Sequence, residues 1–144
     1  MKKIGALIAT GMLFAAAPSF AQTVGTCPRG GGSNQPQPVR ILFALNSSVV
    51  PPAEKPMIAQ AVKTAKDRQV SAICLIGHTD KLGDKELNAK LAVARARSVA
   101  AELIRLGVPA QKVIIASNPE AFGNMSFGSM NASENDRRVS ILWK

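Results

Sequence analysis

The sequence predicts an α/β sandwich, a mixed β-sheet with helices packed on one of its sides. Two observations predict it. Four short apolar runs of strand type, VRILFAL, VSAICLIG, KVIIAS and RVSILW, fall between Val39 and Trp143, and two longer stretches between them repeat their apolar residues at helical spacing. The order is strand, helix, strand, helix, strand, loop, strand, or β-α-β-α-β-β, and it supplies helices for one face of the sheet only.

Each segment has its own justification. Residues 1–21 have the parts of a secretory signal peptide: Lys2 and Lys3, an apolar stretch from Ile4 to Ala17, and Ser19-Phe20-Ala21 as a small-x-small cleavage site. That stretch is shorter than the roughly 20 residues of a membrane span, and Pro18 closes it. No transmembrane segment is expected once the signal is removed. Residues 22–38, QTVGTCPRGGGSNQPQP, are rich in Gly, Pro and Gln with almost no apolar periodicity, and are expected to form a flexible tether. The folded domain is expected over residues 39–144.

VRILFAL is the first strand, and NSSVVPP turns the chain into a helix whose first turn suits Pro52 or Pro56, since no backbone donor is lost there. Ile58, Val62 and Ala65 mark its buried face, and it ends near Asp67-Arg68. VSAICLIG is the second strand, closed by Gly77. A long helix starts at Asp84 as N-cap and stops before Gly107, with Ala92, Ala96, Val99, Leu103 and Leu106 as its buried stripe. KVIIAS is the third strand, residues 118–135 a long loop, and RVSILW the fourth strand.

Composition narrows the function. Two of the eighteen basic residues and none of the nine acidic ones precede residue 22, so the chain without its signal carries +7. Such a balance suits an anionic partner. Export and the absence of basic motifs interleaved with aromatics argue against nucleic acid. One histidine and two cysteines, unclustered, offer no metal site at the usual ligand spacings, and nothing calls for a cofactor. An oxidising compartment permits a disulfide between Cys27 and Cys74, although spacing alone does not show that they meet. Lipidation of Cys27 is the weaker reading, because Val24-Gly25-Thr26 is a poor lipoprotein signal.

The chemistry concentrates in GHTDKLGDKELNAKLAVARARS, Gly77 to Ser98. Asn88 and Arg95 are about 20° from eclipsed on a helix and about 10 Å apart along its axis, whereas Arg97 points to the other side. Thr79 and Asp80 follow the end of a strand, in the crevice where α/β sheets commonly bind ligands. Three readings of Asp80 and Arg95 stand side by side. They form a structural ion pair, or they serve a catalytic His78, or Asp80 takes an ammonium group and Arg95 a carboxylate of one zwitterionic ligand. Catalysis lacks a nucleophile and an orienting acid, so no enzyme is expected.

The same stretch resembles the signature of OmpA-like C-terminal domains, which reads roughly G-H-T-D, Gly, N-x-x-L-S-x-x-R-A, Val. The resemblance runs from Ile41 to Trp143 and includes FALNSS, GVPAQKVI and DRRVSI. Ala92 stands where the family usually has Ser, and Asp136 where many members have Asn. Known members bind peptidoglycan non-covalently through the diaminopimelate of the stem peptide. The resemblance therefore implies that Asp80 holds the ligand's ammonium and Arg95 its carboxylate, with Asn46, Thr79, Asn88 and Arg137 completing the pocket. It implies a periplasmic protein anchored to the cell wall, peripheral to the outer membrane. The alternative is an assembly subunit of an envelope-spanning secretion, transfer or motor complex that uses the same fold for protein contacts.

Overall fold

In the computed structural model, the residues described are 23–25, 27, 36–79, 84–116 and 136–144. The signal segment, Asp80 and the 118–135 loop lie outside them. Strand β1 is Thr23–Gly25, β2 Val39–Leu42, β3 Ile73–Gly77, β4 Val113–Ala116 and β5 Arg138–Trp143, with helix α1 at Lys55–Asp67 and α2 at Lys85–Arg105. The strands form one sheet in the order β1-β4-β3-β5-β2. The β1–β4 and β3–β4 pairs are parallel, and β5 runs antiparallel to both β2 and β3. The sheet is therefore mixed.

Register explains the one-sided core. Ile41 pairs with Val139, Leu75 with Ile141 and Ile115, and Ile73 with Trp143 and Val113. Successive strand residues point to opposite faces, so these rows share one side. They meet Ile58, Ala61, Val62 and Ala65 of α1 and Ala96, Val99, Ala100 and Leu103 of α2 in a single buried cluster. Both helical sets follow the i, i+3, i+4, i+7 spacing of an amphipathic helix. Leu106, the last residue of the stripe read from sequence, packs half-buried against the cluster's edge.

The helix ends follow from local chemistry. The Asp84 carboxylate accepts from the backbone N–H of Glu86 at 2.8 Å and of Leu87 at 3.0 Å, which satisfies two donors the first turn of α2 leaves over. At its far end the Gly107 N–H bonds to Ile104 O and the Val108 N–H to Leu103 O, a Schellman cap with Gly107 at φ 96°. Helix α1 closes in the same way, with Gln69 at φ 50° in the left-handed position. A short 3₁₀ turn, Pro52–Glu54, precedes α1, and Pro56 sits in its first turn.

One segment departs from the sequence reading. Within the stretch expected to be a tether, Thr23–Gly25 forms a fifth strand along the outer edge of β4, and Cys27 is disulfide-bonded to Cys74, with their Cα atoms 5.7 Å apart. Three residues are too few to show a period. What places them is backbone pairing and a covalent link, and neither leaves an apolar pattern in the sequence.

Candidate functional site

The site forms where β2 and β3 run out and β5 begins. Strand β2 stops at Leu42, but the Phe43 N–H still donates to Arg137 O at 2.8 Å, and the His78 N–H donates to Arg138 O at 2.7 Å. Beyond Phe43 the chain turns sharply. The Ser47 N–H bonds back to Ala44 O, and Asn46 takes φ 53°, a left-handed conformation that asparagine tolerates better than most residues. Gly77 explains the close approach of α2: a Cβ at that position would overlap the Ala92 carbonyl.

That approach brings Arg95 beneath the turn. Arg95 is 1% exposed, the only buried charged side chain among the described residues. Its Nε donates to Ser47 O at 2.9 Å, Nη1 to His78 O at 3.1 Å and Nη2 to Ala44 O at 3.1 Å. The guanidinium also lies over the Phe43 ring, 5.4 Å from its centroid. Arg137 reaches the same loop from the other side, its Nε donating to Phe43 O at 3.4 Å. Two guanidinium groups thus hold three carbonyls of the 43–47 turn. These charge-assisted bonds fix both guanidinium groups at the end of the sheet.

Of the residues singled out in the sequence, Arg95 and Arg137 meet at this turn. Asn46 is exposed at its tip, and Thr79 is half-buried one residue past the His78 carbonyl that Arg95 holds. Asn88 is half-buried in the first turns of α2, with its N–H on Asp84 O at 3.0 Å. Asp80 lies outside the described residues. Arg97 is exposed, and Arg138 pairs with Asp136 at 3.6 Å.

His78 is half-buried just past the end of β3. Burial, with the nearby charges of Arg138 and Arg40, lowers its pKa to about 4, and Ser140 Oγ lies 3.3 Å from Nε2. The imidazole is neutral at pH 7 and belongs to the helix-free face of the sheet. Among the described residues no group of three or more His, Cys, Asp or Glu side chains could hold a metal ion. No helix among them is long and apolar enough to cross a membrane. A cleft of about 270 Å³ between Val70 and Val108 lies at the opposite end of the sheet and shares no residue with the site.

Sequence reasoning missed the carbonyl oxygens of Ala44, Ser47 and His78 and the Phe43 ring as Arg95's partners. Carbonyls carry no sequence signal. The one available clue was Asn46 after a β run, a residue suited to left-handed turns.

Taken together, the features define an α/β sandwich domain with an arginine-clamped turn at the end of its sheet. The sequence matches the OmpA family over residues 42–140, more than half of its length, and the chain belongs to that family. Among curated relatives it is 31% identical over 108 residues to the probable lipoprotein YiaD of Escherichia coli, covering 72% of this chain and 48% of that one. It is 32% identical over 107 residues to the outer-membrane lipoprotein YfiB of Pseudomonas aeruginosa, covering 72% and 61%. The chain thus matches between about half and three-fifths of the length of these relatives. Among solved structures, the peptidoglycan-associated lipoprotein of Burkholderia pseudomallei superposes with a TM-score of 0.62 at 23% identity, covering 73% of this chain and 89% of that one. The C-terminal domain of Helicobacter pylori MotB gives 0.58 at 20% identity, covering 75% and 84%. At such identities the likeness is one of fold.

Proposed function

We propose that this protein is a non-enzymatic binding module of the cell envelope, exported to the periplasm, that holds peptidoglycan through the diaminopimelate of the stem peptide. The observation that carries the reading is the turn clamped by Arg95 and Arg137 beside the GHTD strand end, in a chain of the OmpA family. A zwitterionic amino-acid end needs an anion and a cation held a fixed distance apart. Asp80 takes the ammonium, the carboxylate lies against the cationic floor around Arg95, and Asn46, Thr79, Asn88 and Arg137 supply polar contacts at the rim. The name of the Burkholderia relative, a peptidoglycan-associated lipoprotein, supports the same partner.

Co-sedimentation with purified sacculi tests it. Wild type should pellet and be released by free meso-diaminopimelate, and Asp80→Ala should remain in the supernatant. Wild type that stays in solution, or an Asp80→Ala variant that pellets equally well, overturns the reading in favour of a subunit using its fold for protein contacts.

A further inference from the structure

The outer edge of β4 raises a separate question. Val113–Ala116 is apolar throughout, and among the described residues its backbone on that side pairs with Thr23, Val24 and Gly25, in parallel register with Ile114, Ile115 and Ala116. A bare, apolar edge is a template for another strand. Three paired residues are a weak cover, well below the usual strand length of about five or six. What keeps them in place is Cys27, two residues on, bridged to Cys74 in β3. Cys74 is 1% exposed and lies one strand inside β4, level with Ile114. The bridge therefore draws the chain back over the helix-free face and pins β1 against the edge.

We infer that the β4 edge is a strand-accepting interaction surface, covered in cis by β1 only while Cys27 and Cys74 are bridged, and that without the bridge it takes the same strand from a second copy of this chain. The occupant follows from the register. Thr23–Gly25 is the segment already shown to fit this edge, and a second copy carries it unchanged. Reach permits exchange as well. The connection over residues 26–38 spans up to about 40 Å when extended, more than a sheet's width of five strands at about 4.8 Å. Exchange of one identical element is a low-cost route to a dimer. The bridge opposes it by tethering β1 to its own domain. A chain whose cysteines remain thiols lacks that restraint.

The test compares three preparations of the signal-free chain: oxidised, reduced with a phosphine (which takes oxygen from water to become the phosphine oxide while the disulfide gains two electrons from the phosphine and two protons from that water), and Cys27→Ser kept in reductant. The last two leave Cys74 and the core in place, and circular dichroism confirms that they remain folded. Light scattering after gel filtration should show a monomer for the oxidised protein and a concentration-dependent dimer for both others. Hydrogen exchange at Ile114–Ala116 should be slow in the oxidised monomer and in the dimer, and fast in the dilute unbridged monomer. Thr23→Pro with Val24→Pro, added to Cys27→Ser, should abolish the dimer. Amide N–H groups alternate along a strand, so one of the two prolines removes a ladder donor. An unbridged chain that stays monomeric with slow exchange at 114–116 overturns the proposal, as does a dimer that survives both prolines. Sacculus binding is read at the ends of β2 and β3, on residues that neither β1 nor the outer edge of β4 contributes, so its failure would leave this result untouched.

Discussion

A buried arginine that directs its donors at backbone carbonyls organises structure before it touches any ligand. Arg95→Lys keeps the charge but replaces a planar fork with a point donor that cannot span Ala44, Ser47 and His78. Each carbonyl left without a donor costs about 1–3 kcal/mol, so the substitution should destabilise the fold by several kcal/mol. Arg137→Ala, which gives up one described 3.4 Å bond at a half-buried position, should lower stability far less while weakening wall binding. Urea melts of the two variants check this. Equal losses would place Arg137 in the scaffold.

His78 offers a second measurement at this scale. Its folded pKa of about 4 lies below the usual 6.5, so below pH 6.5 the unfolded chain binds a proton that the folded one refuses. The stabilisation is complete above pH 6.5 and is lost as the pH falls to about 4, up to about 3 kcal/mol. His78→Gln should flatten that part of the stability profile relative to wild type. Profiles of identical slope between pH 6.5 and 4 would mean that the ring is solvated. The sequence marked Arg95 correctly as facing the strand end, from its phase with Asn88. It could not show that the side chain is buried, because the acceptors that bury it are peptide oxygens common to every residue.

Elements were legible in proportion to their length. Helix α2 announced itself through an apolar stripe over four turns, a capping aspartate and a terminal glycine, three independent signals that agree. Strand β3 was legible as a continuous apolar run, as expected for a strand flanked by neighbours on both sides. Its exact meeting with α2 was not, although the glycine that allows it stands first in GHTD. Gly77→Ala should push α2 outward and cost about 1–3 kcal/mol, the usual range for overpacking. A melt unchanged from wild type would show that α2 can yield there without loss. Strand β1 was not legible because three residues held by backbone pairing show no period, and only the permitted Cys27–Cys74 bridge pointed to that segment. Breaking a bridge that spans 47 residues should remove about 4 kcal/mol by loop entropy, and chemical denaturation with and without reductant measures it. A Cys27 sulfur bound to Cys74 cannot also carry a thioether-linked lipid.

At the scale of the whole molecule, the charge creates an ambiguity that only experiment removes. A chain of formal net charge +9, or +7 without its signal segment, is attracted to any anionic polymer, a wall rich in carboxylates included, without using a pocket. The two modes respond differently to salt. Attraction between exposed charges is screened beyond about 10 Å at 0.1 M salt and beyond about 3 Å at 1 M, whereas a desolvated pair inside a pocket is screened much less. Wild type should therefore lose part of its sacculus binding as salt rises and then level off at a plateau that free meso-diaminopimelate removes. Asp80→Ala should show the salt-sensitive part alone and fall to nothing. Loss of one partner from a buried charge pair typically costs about 2–5 kcal/mol, roughly 30-fold or more in affinity. Replacing Lys66 and Lys112 by Gln, at the far end of the sheet, should lower the salt-sensitive part and leave the plateau intact. If wild type has no plateau, its attachment to the wall is a property of net charge, and the clamped turn at the end of the sheet holds something other than a stem peptide.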